Sequence, residues 1–168
     1  MMKSSLLVAA LALTPALASA QVSQSGYVLP LDLALEAAQE AVRTCAANGY
    51  AVTATVVDVD GTPKVVLRGD HSTIHTRDSS FRKAYTVITM GPIFHLDTSG
   101  GFTELVAKNP AGAQLTTMPN VVALPGAVAI KAGAETVAAL GVGGAPGGEK
   151  DEVCAAAGVA RIRDRLPK

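Results

Sequence analysis

Tryptophan is missing from this 168-residue chain, and aromatic residues make up only 4% of it. Charge of one sign is missing too: 14 basic residues balance 14 acidic ones, for a formal net charge of zero. No basic patch interleaved with aromatics occurs, which argues against nucleic acid as a partner. No segment after the N-terminal leader reaches the roughly 20 apolar residues that a membrane span needs. Catalytic signatures are equally scarce. There is no G-x-S-x-G elbow, no H-E-x-x-H and no C-x-x-C, so hydrolase, zinc-protease and dithiol redox readings have no anchor. What remains is rich in alanine, valine and glycine, and near-neutral charge with many small apolar residues suits a self-associating protein.

The first residues address the protein. Lys3 supplies a positive n-region, an apolar core runs over 6–17, and Ala18-Ser19-Ala20 ends it with small residues. This pattern predicts a secretory signal peptide over 1–20, cleaved before Gln21, and hence a protein exported to a periplasmic or extracellular space. Residues 21–168 then form a single domain of 148 residues, long enough to bury a core. Both cysteines, Cys45 and Cys154, belong to that exported part. An oxidising compartment permits a disulfide between them. Two buried free thiols are the alternative, because Cys45 falls on an apolar helical stripe.

Leu31, Leu35, Ala38, Val42 and Cys45 recur at helical spacing, with Asp32 at the start and Asn48-Gly49 at the stop. A Val- and Thr-rich strand is expected over 50–59, a hairpin at Asp60-Gly61 and a returning strand over 64–68. A second helix fits within 70–90, ending before Gly91-Pro92. Its predicted inner face carries Ile74, Phe81, Ala84, Tyr85 and Ile88, with Arg77, Asp78, Arg82 and Lys83 mostly facing away. The span 91–119 is irregular, with a short helix or loop over 102–108. Strands follow over 121–124, 126–130 and 136–142, and Val153, Ala156, Ala157 and Ala160 give the last helix its apolar face. The order predicts an α+β fold around an antiparallel sheet.

Polar residues concentrate over 68–78. If the second helix already runs at His71, then His71 and His75 lie one turn apart, a spacing that can share a metal or offer a haem ligand. Asp70 or Asp78 would orient the ligating ring. A solvated strand-to-helix connection capped by Thr73 or Thr76 explains the same residues. His95 and Asp97, with Glu104, form a second candidate group for acid–base chemistry. The glycine-rich loop over 141–148 has neither a phosphate-loop lysine nor a dinucleotide fingerprint. It can serve as a structural turn or dock an anion on its N–H groups.

Several of these stretches, taken in order, resemble the GlcG/HbpS-like family. They are V-V-D-V-D-G over 56–61, Arg68 with Asp70, Arg82-Lys83-Ala84, L-P-G-A-V-A-I over 124–130, A-L-G-V-G-G over 139–144 and D-E-V-C-A-A-A-G over 151–158. The chain departs from the family pattern at His71, Ala127, Ala129 and Gly143. The resemblance covers nearly all of the mature chain and implies a five-stranded antiparallel sheet flanked by helices, a profilin-like architecture. It also implies assembly into a homo-oligomer and binding of haem or another small ligand. On that basis the chain is expected to be an exported haem-binding protein serving haem sequestration, sensing or degradation. His71 or His75 would be the axial ligand, with Arg68, Arg77 or Lys83 as the propionate partner. Two other readings stand beside it: an enzyme acting on an organic acid or carbonyl compound, and an oligomeric accessory protein without cofactor.

Overall fold

Successive side chains of a strand point to opposite faces, and here the alternation sorts β1 (Thr53–Val57) cleanly. Ala54 and Val56 join the larger apolar core, while Thr53, Thr55 and Val57 face the other way. The computed structural model describes residues 26–168, so the expected signal peptide lies outside the described residues. β1 pairs antiparallel with β2 (Pro63–Arg68) through a tight turn in which Gly61 takes φ 76°. It pairs on its other side with β4 (Glu135–Gly143), which in turn pairs with β3 (Ala127–Ala132). The sheet order is β2-β1-β4-β3.

One sheet face is covered by α1 (Leu31–Ala47) and α5 (Gly148–Ile162), the other by α2 (His75–Phe94). Between α2 and β3 lie α3 (Ser99–Lys108) and the single turn α4 (Gly112–Leu115). Thr98 caps α3 by accepting a hydrogen bond from the Gly101 N–H at 3.0 Å. The span expected to be least regular is therefore largely helical. No helix among the described residues is long and apolar enough to cross a membrane.

The α+β class and the antiparallel sheet hold, but the described residues contain four strands rather than the expected five. Segment 121–124 forms no ladder. Its Val122 N–H donates to the Thr86 hydroxyl of α2 at 2.9 Å, and Arg82 donates to the Val121 carbonyl. These side chains satisfy backbone groups that a neighbouring strand would otherwise satisfy. At the outer edge of β3 only a single bridge forms, Thr98 with Val128, supported by the Ala129 N–H donating to the Asp97 carbonyl.

Three helical faces also differ from expectation. α1 buries Leu33, Ala34, Ala37, Ala38, Ala41 and Cys45, leaving Leu31 and Leu35 exposed. α5 buries Cys154, Ala155, Gly158, Val159 and Ile162, leaving Val153, Ala156 and Ala160 outside. The cause is close approach: a Cβ on Gly158 would lie 2.4 Å from the Ala37 carbonyl oxygen, so small residues occupy the contact and larger ones its rim. The structure joins Cys45 and Cys154 in a disulfide across this contact, with Cα atoms 5.6 Å apart.

α2 turns Thr76, Ser80, Lys83, Ala84 and Val87 inward, while Ile74 precedes the helix and is exposed. Its buried hydroxyls pair with the sheet, Thr76 with Thr53 at 2.7 Å and Ser80 with Thr55 at 2.8 Å. α2 also runs through Pro92 to end at His95, whose left-handed φ of 55° lets the Gly91 carbonyl accept the closing bonds.

Candidate functional site

The connection from β2 to α2 is a tight turn held from inside. Ser72 is buried, its hydroxyl lies 3.2 Å from both Thr53 and Thr76 hydroxyls, and its carbonyl accepts from Arg68 Nε at 2.9 Å. His71 adopts the left-handed region with φ 63°, so the helix does not yet run there. The expected pairing of His71 and His75 on one helical face therefore fails. Among the described residues no group of three or more His, Cys, Asp or Glu is placed to hold a metal ion.

The residues expected to hold haem, with their acidic neighbours, separate into three environments. Arg68, Asp70 and His71 line an open cleft of about 580 Å³ with Val42 and Tyr50, at the C-terminal end of α1. His75, Arg77 and Asp78 are exposed on the first turn of α2, outside that cleft. The His75 Nδ1 lies 3.2 Å from the Thr73 hydroxyl. Ile74, immediately before it, is 76% exposed. Val65 and Leu67 pack with the α1–α5 core, so Lys64, Val66 and Arg68 alternate onto the α2 side of the edge strand, where Val66 is 43% exposed. Basic and apolar groups thus share the surface beside α2.

Lys83 lies in a third environment. It is buried rather than outward-facing, donating to Asp151 Oδ2 at 2.7 Å and to the Val142 carbonyl at 3.1 Å. The other Asp151 oxygen accepts from the Ala145 N–H at 3.0 Å. Burial pushes the Asp151 carboxyl above the usual carboxylate range, opposed by Lys83 and by the backbone N–H groups of Ala145 and Gly144. The glycine loop does dock an anion, and that anion is the chain's own Asp151. The sequence signal was present in the acidic start of α5 directly after the loop, but nothing in the sequence pointed to Lys83 as its partner.

His95 and Asp97 come together without Glu104. They line a cleft of about 530 Å³ with Lys131 and Glu135, where Lys131 pairs with Asp97 at 2.8 Å. Glu104 lines a different cleft of about 660 Å³ with Glu149, Glu152 and Val153.

The description "Haem degrading protein HbpS-like" belongs to the family model that matches residues 29–160. The chain belongs to this family. Its structure is similar to a doubly substituted HbpS from Streptomyces reticuli, with 33% identity and a TM-score of 0.73 over 89% of this chain and 97% of that one. Similarity extends to the Klebsiella pneumoniae protein ORFY, at 22% identity and TM-score 0.72, covering 83% of this chain and 94% of that one. It extends also to a PduOC–haem complex, at 20% identity and TM-score 0.71, covering 81% and 96% respectively. These two share the HbpS-like fold. No protein of curated function matches the chain.

Proposed function

We propose that this HbpS-like chain is an exported haem-binding protein that seats haem on the exposed surface of the β2–α2 connection, with His75 as axial ligand. The observation that carries the reading is the exposed His75 ring held with Nδ1 3.2 Å from the Thr73 hydroxyl. The tautomer with its proton on Nδ1 leaves the Nε2 lone pair for iron. Exposed Ile74 and Val66 offer apolar area to a macrocycle, and Lys64 and Arg77 offer cations to propionates, while the Arg68 guanidinium is held by the Ser72 carbonyl. Lys83, buried with Asp151, stays out of this set. Haem, when bound, would supply an iron centre able to take an imidazole nitrogen. The chain's own residues orient that imidazole and neutralise the acid side chains.

Hemin titration tests the site. Wild-type protein is expected to shift the Soret band, and His75→Ala to weaken binding about tenfold or more. His71→Gly, which removes an imidazole while keeping the left-handed turn, should leave the band in place. No shift with wild-type protein overturns the haem reading, and an unchanged His75→Ala overturns the ligand assignment. Export and self-association belong to the same proposal. The predicted leader supports the first, and exposed Val153 and Leu124 support the second. Native mass spectrometry of the exported fraction should report a chain starting at Gln21, its ligand mass and its assembly together.

The cleft around His95 favours a second reading, an enzyme acting on a small organic acid, since Lys131 and His95 can hold a carboxylate beside Asp97. Turnover of such a compound, lost in His95→Gln with hemin binding intact, would select it.

A further inference from the structure

β2 is an outermost strand of the sheet, and among the described residues it pairs with β1 alone. The isolated bridge of Thr98 with Val128 lies at the opposite edge. Along an antiparallel strand, backbone groups that face the partner alternate with groups that face away. The Gly69 N–H donates to the Val52 carbonyl at 2.9 Å, and counting back along the regular pairing from Arg68 to Val65 turns Leu67 and Val65 toward β1. The N–H and C=O groups of Val66 and Arg68 are left facing away from the sheet. The register shifts beside Lys64, and Pro63 has no N–H to offer, so the open run ends there.

An unpaired edge is a template for a further strand, and this edge carries charge of one sign. Lys64 and Arg68 flank Val66, which is 43% exposed. Among the described residues no carboxylate pairs with either cation. The Arg68 guanidinium rests on the Ser72 carbonyl, a neutral group that leaves its charge uncancelled. Asp58 is folded into the hairpin, accepting from the Asp60 and Thr62 N–H groups at 3.0 and 2.9 Å. Asp60 and Asp70 lie in the turns beyond the two ends of β2.

We propose that the outer edge of β2 takes an extended acidic segment of another protein as an added strand, with carboxylates flanking an apolar residue set opposite Val66. Main-chain bonds to Val66 and Arg68 supply the attachment, and the alternate side chains supply the choice of partner. A second copy of this chain suits the edge poorly. Antiparallel pairing about Val66 would set Lys64 of each copy opposite Arg68 of the other, and like charges directly opposite destabilise a ladder. The self-association supported by Val153 and Leu124 belongs to the β3 side, where Val153 and Val128 line one cleft, so it leaves the β2 edge open.

The test is an amide NMR titration of the mature chain with the blocked peptide Glu-Thr-Val-Thr-Glu, beside its counterpart Lys-Thr-Val-Thr-Lys. The acidic peptide should move the Val66 and Arg68 signals and slow their hydrogen exchange, while Val65 and Leu67 are protected from the start. Added salt should weaken the effect, and the lysine peptide should leave both signals in place. Val66→Pro removes an N–H that faces away from β1, a position where edge strands tolerate proline, and should weaken peptide binding about tenfold. No movement with the acidic peptide, or equal movement with both, overturns the proposal. So does a Val66 N–H that exchanges as slowly as Leu67 before any peptide is added, which would mean that a second copy already covers the edge; this reading needs no variant to fold. Lys64 and Val66 also belong to the surface assigned to haem, so hemin should displace the peptide. That arm alone rests on the haem reading, and the peptide titration stands whether or not wild-type protein takes hemin.

Discussion

A methyl group built on Gly141 would sit 2.2 Å from the Ser80 carbonyl oxygen and 2.8 Å from the Ala84 nitrogen, both backbone atoms of α2. Neither can yield without moving the helix off the sheet. Gly141→Ala is therefore expected to cost about 3 kcal/mol, at the upper end of overpacking effects, read as a lower urea midpoint at unchanged slope. His95 presents the opposite case. It ends α2 in the left-handed region, which penalises a side chain by roughly 1–2 kcal/mol and glycine hardly at all. His95→Gly should stabilise the protein by about 1 kcal/mol in the same assay. The end of α2 was misplaced in the sequence because Gly91-Pro92 is an ordinary stop signal. Proline removes only one N–H, however, and the last turn closes on the Gly91 carbonyl instead.

Between elements, the decisive contact is α1 against α5. Helical period located both helices to within a few residues, yet it turned α1 toward Leu31 and Leu35 and α5 toward Val153, Ala156 and Ala160. The structure keeps Ala38 and Cys45 inside but rotates both faces, because Ala37, Ala38, Ala41 and Gly158 allow an approach that Leu35 and Val153 would prevent. Size is thus a poor guide where two backbones nearly touch, and nothing local in the sequence says which helices will do so. Cys45 and Cys154 lie within this contact and are separated by 109 residues. The chain-entropy model values such a link at roughly 4–5 kcal/mol. Replacing both with alanine should lower the melting temperature by on the order of 10 °C in scanning calorimetry. Because both sulfurs are buried, a mild reductant should act on the native protein only as fast as it opens.

For the molecule as a whole, pH dependence follows from two carboxyls shifted in opposite directions. Motif order across the chain made the family and its α+β class legible, whereas the site was legible only as a neighbourhood. His71 and His75 are four residues apart, but a left-handed turn separates them, and local spacing does not encode that turn. The buried pair was harder still, since Lys83 and Asp151 meet only after the sheet has formed. Their meeting sets the sign of a measurable slope. Glu36 is held below the usual glutamate range, first by its hydrogen bond from Arg165, so its contribution is present above that range and lost as pH falls through the folded value. Asp151 is raised, chiefly by burial, so the folded state keeps its proton longer than the unfolded chain does. Its contribution is present below about 3.9 and lost as pH rises through the folded value. Glu36 is common to wild type and Lys83→Met/Asp151→Leu, and its effect cancels when the two are compared. Urea unfolding at several points between pH 4 and pH 7 should then show wild type losing stability relative to the double variant as pH rises through the lower part of that range. A difference that stays flat throughout would mean that Asp151 does not titrate above the ordinary range in the folded protein.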